Sequence, residues 1–304
     1  MSAPVWADRP VVVLGAKGML GRDLVSLLRE RLDDAAGDRV VAWDKDELDM
    51  TCSGAIVETL GRIAPGVVIN CAAYTNVDGC ESNVDEAMAI NAVAPALLGE
   101  ACRSVGALLV HISTDFIFDG RSRRPYRPDD AANPLSVYGR SKWEGEEAVH
   151  ASGCRSLIVR TSWLYGVHGR NFVEAILQKA KTGESLRVVD DQVGRPTFTV
   201  DLSDALVRLL DVGAEGVVHF ANDGECSWNV FAKAIVELAG LNTSVAAISS
   251  GELDRPAKRP AYSVLDLSNY QKLTNHAPRS WREALAEYMV RREVNEATQP
   301  LQTS

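Results

Sequence analysis

A glycine triplet near the start of the chain sits between an apolar run and a helical period, and that placement points to one kind of fold. Gly15-Ala-Lys-Gly18-Met-Leu-Gly21 follows an apolar run, Val11–Leu14, and opens a stretch with Leu20, Leu24, Leu27, Leu28 and Leu32 at helical spacing. A buried strand that turns through glycines into a helix is the first unit of a dinucleotide-binding βαβ fold. One glycine permits the tight turn, one lets the backbone approach a pyrophosphate, and one lets helix pack on strand. The helix N-terminus then offers unpaired N–H groups and a favourable dipole to phosphate. The spacing is GxxGxxG, one residue away from the common GxGxxG, and a merely structural turn is the competing reading.

The alternation continues down the first half. Residues 40–43, 67–70, 107–112 and 156–160 read as strands, and 53–63, 84–105 and 137–150 as helices. This order predicts an α/β fold with a doubly wound parallel sheet of Rossmann type. Beyond it, strand-like pieces at 186–189, 216–220 and 245–248 alternate with helices near 171–181, 199–211, 227–239 and 280–292. The expected organisation is a dinucleotide-binding domain over residues 1–165. Residues 166–304 form a smaller C-terminal substrate-binding lobe, with some elements returning to the sheet. The first ten residues read as a loose lead-in and the polar tail after about 293 as frayed.

Charge and cysteine usage narrow the function classes. A net charge of −9 argues against non-specific nucleic-acid binding, yet leaves room for an anionic small ligand held by a few basic groups. No apolar run approaches the roughly 18 residues that span a bilayer, so no membrane partner is expected. The six cysteines include no CxxC pair and read as reduced thiols in a cytoplasmic protein. The five histidines include no HxxxH pair, and no protein metal site is expected from spacing.

Asp44 ends the second strand about 20 residues beyond Gly21, where a carboxylate accepts the adenosine ribose hydroxyls. It favours NADH over NADPH, while Lys45 could offset that repulsion or simply be a solvated charge. Asp49, next to Met50, is a candidate for the adenine end or a turn aspartate. Asn70-Cys-Ala72-Ala73 ends a strand with small residues that leave room for a cofactor. Tyr138-Gly-Arg-Ser-Lys142 places a phenol and an amine four residues apart on one helix face. An ammonium and a nicotinamide cation nearby should lower the Tyr138 pKa, so that it serves as acid or base near neutrality. Ser113-Thr114-Asp115 lies at the carboxyl end of a strand, where open α/β sheets bind ligands, and Thr114 can polarise a carbonyl.

With these residues in place the chain resembles the extended short-chain dehydrogenases, and among them the dTDP-4-dehydrorhamnose reductase family. The resemblance is carried by NCAAYTNVDGCES (70–82), HISTDFIFDG (111–120), YGRSK (138–142), RTSWLYG (160–166), DDQVGRPT (190–197) and RPAYSVLD (259–266). It implies hydride transfer from NADPH or NADH to C4 of a dTDP-4-keto-6-deoxyhexose, giving dTDP-L-rhamnose or a relative. Tyr138, Lys142 and Thr114 would be catalytic. The cofactor set would be Gly15, Gly18, Met19, Leu20, Gly21, Asp44, Asp49, Met50, Ala72, Ala73 and Tyr74, with Tyr138 and Lys142. Thr114, Asp115, Phe116, Tyr138, Trp163, Asn171 and Arg259 would face the substrate, Arg259 through its planar fork on the diphosphate. Phe116 stands where the family usually carries Tyr, which leaves a related ketosugar open as substrate. Some relatives hold a homodimer through magnesium, and Asp23 sits at one such place. Similar folds also serve as non-catalytic regulatory subunits, against which the intact Tyr138, Lys142 and Thr114 weigh.

Overall fold

The computed structural model describes residues 5–298. In chain order the first half contains β1 (Val11–Leu14), α1 (Met19–Arg31), β2 (Val40–Trp43), α2 (Ser53–Ile63), β3 (Val67–Asn70), α3 (Val77–Ser82), α4 (Val84–Met88), α5 (Ala94–Val105), β4 (Leu108–Thr114), α6 (Val137–Ala151) and β5 (Ser156–Thr161). The second half contains β6 (Leu164–Tyr165), α7 (Phe172–Ala180), β7 (Leu186–Val189), β8 (Val193–Gly194), β9 (Thr197–Phe198), α8 (Thr199–Asp211), β10 (Gly216–His219), β11 (Cys226–Ser227), α9 (Trp228–Leu238), β12 (Val245–Ile248), α10 (Ser268–Thr274) and α11 (Trp281–Thr298).

Six strands form one parallel sheet in the order β10-β5-β4-β3-β1-β2. The chain leaves β1 for β2 on one side and returns to β3 on the other. That reversal is the switch point at which doubly wound sheets bind ligands. The strands are apolar on both faces because both faces are covered. Val11 and Val13 pack with Leu24 and Leu28 of α1 and with Leu202, Leu206 and Leu209 of α8. Val12 and Leu14 pack on the opposite side with Ile56 and Leu60 of α2 and Leu98 of α5. The second half thus returns β10 and α8 to the first core. A separate core joins α7, α9 and α11 around Tyr165, Phe198, Phe231 and Tyr288.

Three stretches differ from the sequence expectation. The helix over 84–105 runs unbroken but carries a π turn at Ala89–Val93 between α4 and α5. Pro95 has no N–H to return to the preceding turn, so an irregular turn costs less there. α3, ahead of it, is too short for an apolar period to reveal. The lead-in is tied down at its inner end, since Trp6 Nε1 donates to Asp211 at 2.9 Å and Ala7 is buried. α11 continues to Thr298. The outermost parts of both expected loose ends, residues 1–4 and 299–304, lie outside the described residues.

α6 is locked onto the sheet by a buried ion pair. Arg160 of β5 and Glu146 of α6 are 3% and 2% exposed and meet at 2.7 Å. Ser113 also donates to Glu146, and Arg160 donates to the Pro128 carbonyl. Removing one partner strands the other in a dry interior. Glu146→Leu should therefore lower unfolding free energy by about 3–5 kcal/mol in urea titrations. A loss below about 1 kcal/mol would show that solvent reaches the pair.

Candidate active site

Two cavities open at the carboxyl edge of the sheet and share Phe116 and Trp163. The first, of about 640 Å³, is lined by the glycine loop, Asp44, Ala72, Ala73, Thr114, Tyr138 and Lys142. The second, also about 640 Å³, is lined by Trp163, Phe172, Arg187, Gln192, Trp228, Arg255 and Arg259.

The glycine loop fits a dinucleotide. Gly15 sits at φ +74°, and a Cβ there would meet the Ala72 backbone nitrogen at 2.7 Å. A Cβ on Gly21 would meet the Gly15 carbonyl oxygen at 2.1 Å, so loop, helix and β3 end are in backbone contact. No side chain caps α1, which leaves its first N–H groups facing the cleft. Asp44 accepts from Lys17 N at 3.1 Å and from Lys45 N at 2.9 Å, which aims its carboxylate beside the loop. Lys17 is engaged by Asp46 and Glu47, and Lys45 is exposed. Asp49 is exposed and spends its carboxylate on Thr51, while Met50 packs against the α2 side core. Tyr74 is held through its backbone by Asn91. These last three residues fall outside the cavity lining.

Local rules place the reacting groups. Ser136 caps α6 by accepting from Gly139 N, so the helix begins at Val137 and Tyr138 lies in its first turn. Gly139 and Gly145 let α6 sit on the neighbouring backbone: a Cβ at either would come within 2.2 Å of the Phe116 oxygen or 2.1 Å of the Asn91 oxygen. The Tyr138 hydroxyl lies beside Thr114. Thr114 gives its own proton to Asp115 Oδ1 at 3.1 Å. Asp115 Oδ2 is buried with no hydrogen-bond partner. Lys142 Nζ donates to the Ile112 carbonyl at 2.7 Å and faces His111 Nε2 at 3.2 Å.

Burial pushes all three titrating groups toward their neutral forms. Tyr138 is raised above its ordinary value; Thr114 opposes this and the Asp115 charge adds to it. Burial sets this rise in the cofactor-free protein; the expected fall in the Tyr138 pKa includes the field of a bound nicotinamide cation and belongs to the loaded enzyme. Lys142 is pulled down to about 8 by burial, with Glu146 and Cys71 opposing. Asp115 is raised to about 7, against bonds from Ser263 and Thr114.

The remaining candidates are placed as follows. Trp163 lines both cavities at φ +48°, a conformation bulky residues adopt only under constraint. Its indole stacks on Trp228 with centroids 3.6 Å apart, and a Cβ on Gly194 would meet it at 2.6 Å. Phe116 packs edge-on against Tyr138 at 5.4 Å. Arg259 is half-buried, and both its terminal nitrogens hold Asp78, at 3.0 and 2.8 Å. Asn171 lines neither cavity: it caps α7 through Glu174 N and donates to the Gly166 carbonyl. Trp228, Arg187, Arg255 and Gln192 had no local signal apart from Gln192, which lies inside the DDQVGRPT segment. Asp23 accepts from Thr199 and faces His168. Among the described residues no group of three or more His, Cys, Asp or Glu could hold a metal, which leaves the magnesium expectation without support. All six cysteines are free, and no helix described is long and apolar enough to cross a membrane.

Asp115 provides a stability test. Its folded-state pKa of about 7 lies above the ordinary aspartate value of about 3.9, so the folded protein holds the proton to higher pH. Its contribution to stability falls as pH rises from about 4 to about 7 and is level above. Asp115→Asn should match the parent near pH 4 and exceed it near pH 8, by about 4 kcal/mol at most. Denaturation at the two pH values measures the difference, and equal gains at both would refute the burial of a titrating carboxyl.

Comparison with known proteins agrees with this geometry. The family model described as RmlD substrate binding domain matches residues 9–294. A spore coat polysaccharide biosynthesis protein of Bacillus subtilis is 41% identical over 282 residues, covering 93% of this chain and 97% of its own. A dTDP-4-dehydrorhamnose reductase of Streptomyces griseus is 42% identical over 283 residues, covering 91% of each. The crystal structure of a dTDP-4-dehydrorhamnose reductase from Bacillus anthracis in complex with NADP superposes with a TM-score of 0.88. That protein is 36% identical, over 93% of this chain and 99% of its own. A glycine cradle, a Tyr–Thr–Lys cluster and likeness along nearly the whole length agree: the chain belongs to the dTDP-4-dehydrorhamnose reductase family.

Proposed function

We propose that this protein reduces the C4 keto group of a dTDP-activated 4-keto-6-deoxyhexose with NADPH or NADH, and that its substrate is dTDP-4-dehydrorhamnose. The observation that carries the reading is that Tyr138, Thr114 and Lys142 line the first cavity together, next to Phe116 and Trp163, which line both. The first cavity suits a dinucleotide, with the glycine loop for its phosphates and Asp44 for a ribose. The second suits a nucleotide sugar: stacked indoles for flat surfaces, and Arg187, Arg255 and Arg259 for a diphosphate.

Held by the glycine loop and Asp44, a reduced nicotinamide dinucleotide would supply the hydride. The protein supplies the rest. Tyr138, kept a phenol by burial, holds the proton needed by the oxygen that becomes an alkoxide. Thr114 lies beside that phenol with its own proton given to Asp115. Asp115, among the residues lining the same cavity, lies on the side where the sugar would sit. Arg259 exchanges Asp78 for phosphate oxygens, so substrate binding competes with an existing ion pair. A second reading keeps this chemistry and changes the sugar, because Phe116 lines both cavities without a hydroxyl to offer.

Purified protein with dTDP-4-dehydrorhamnose should consume NADPH or NADH, seen as loss of the reduced-nicotinamide absorbance. No consumption with either would refute the function. Tyr138→Phe should lower kcat by about 10²–10⁴-fold while cofactor affinity stays within about 3-fold; undiminished turnover would remove Tyr138 as the acid. Arg259→Ala should raise KM about 10–100-fold with kcat nearly unchanged. A fall confined to kcat would place Arg259 at the chemistry instead of the diphosphate.

A further inference from the structure

Behind Lys142 runs a chain of buried polar groups that the reduction does not use. Asn70, at the end of β3, accepts the Ala72 N–H on Oδ1 at 3.1 Å, which settles how its carboxamide faces. Its Nδ2 therefore meets Nδ1 of His111 as a donor, 3.2 Å away. Burial, and the neighbouring Lys142, hold His111 well below its ordinary range, so the ring is neutral and has one N–H and one lone pair. With Nδ1 accepting, the proton is on Nε2. Nε2 faces Lys142 Nζ at 3.2 Å, and Nζ already donates to the Ile112 carbonyl at 2.7 Å. An ammonium has only donors to present, so N–H would oppose N–H. A free amine accepts the Nε2–H and still donates to Ile112.

The other titratable groups around the amine leave this balance in place. Cys71, after β3, is a thiol that burial pushes to about 12. Glu146, one turn along α6, is committed to Arg160 of β5 and to Ser113 of β4. Tyr138, one turn back, is a phenol.

We propose that His111 is a positioning residue for the reduction: its Nε2–H holds Lys142 as a free amine against β4 in the cofactor-free enzyme. Dinucleotide binding then releases that amine with uptake of one proton from solvent. The released amine exchanges a donor, Nε2–H, for ribose oxygens and the field of a diphosphate, and both favour the ammonium. The inference rests on the reading of Lys142 as a cofactor-binding group.

Calorimetric titration of the full chain with NADH, at about pH 8.5 in two buffers of different ionisation enthalpy, counts the protons taken up. The parent protein should take up more than half a proton per NADH. His111→Gln should take up less than a quarter of that, since an amide oxygen accepts from an ammonium. Nitrogen-15 NMR of the parent protein's histidines supplies a readout that does not depend on the variant folding: His111 should be the Nε2–H tautomer from about pH 6 to 9. Binding without proton uptake, equal uptake by H111Q, or an Nδ1–H tautomer would each overturn the role of His111. Failure to bind either dinucleotide would instead bring down the reading of the cleft, and this inference with it.

Discussion

The site depends on how closely one helix lies against its neighbours. α6 carries both Tyr138 and Lys142, and it approaches the Phe116 and Asn91 carbonyls closely enough that Gly139 and Gly145 admit no side chain. The Arg160–Glu146 pair then fixes its angle on β5. Backbone contact on one side and a buried ion pair on the other leave the helix no freedom to slide. The phenol and the amine are thereby delivered to the carboxyl end of β4, beside Thr114. A helix held at ordinary side-chain distance would sit further out and separate them.

The same close packing sets the electrostatics. The cleft is dry enough to raise Tyr138 and Asp115 and to lower Lys142. Each group is pushed toward neutrality by the same desolvation. For a reductase this direction is useful at Tyr138, which must hold its proton until the carbonyl oxygen develops charge. Asp115 and the positive-φ Trp163 are local costs of the kind that cluster at functional sites. The surrounding cores, apolar on both faces of the sheet, offset them.

Much of the fold was legible because its signals are local. Apolar strands, the glycine loop and the period of α1, α8 and α9 can be read one segment at a time. Tyr138 and Lys142 were legible because helix geometry alone puts them on one face. The missing parts were those created by contact. The π turn at Ala89–Val93 lies where Gly145 of α6 sits against the Asn91 carbonyl, a contact no local pattern announces. Trp228 becomes a site residue only because it stacks on Trp163, which lies 65 positions earlier. Arg259 looked free for a diphosphate, whereas Asp78 already holds it, 181 residues away in the chain. Asn171 resembled a substrate residue within its motif, yet its side chain is consumed in capping α7.

The most direct test follows one atom. A reduced cofactor carrying deuterium at both nicotinamide C4 positions should, with dTDP-4-dehydrorhamnose, give product labelled at sugar C4 alone, as read by NMR. Label at any other sugar carbon, or product formed without label, would contradict the convergence of the two cavities on which this account stands.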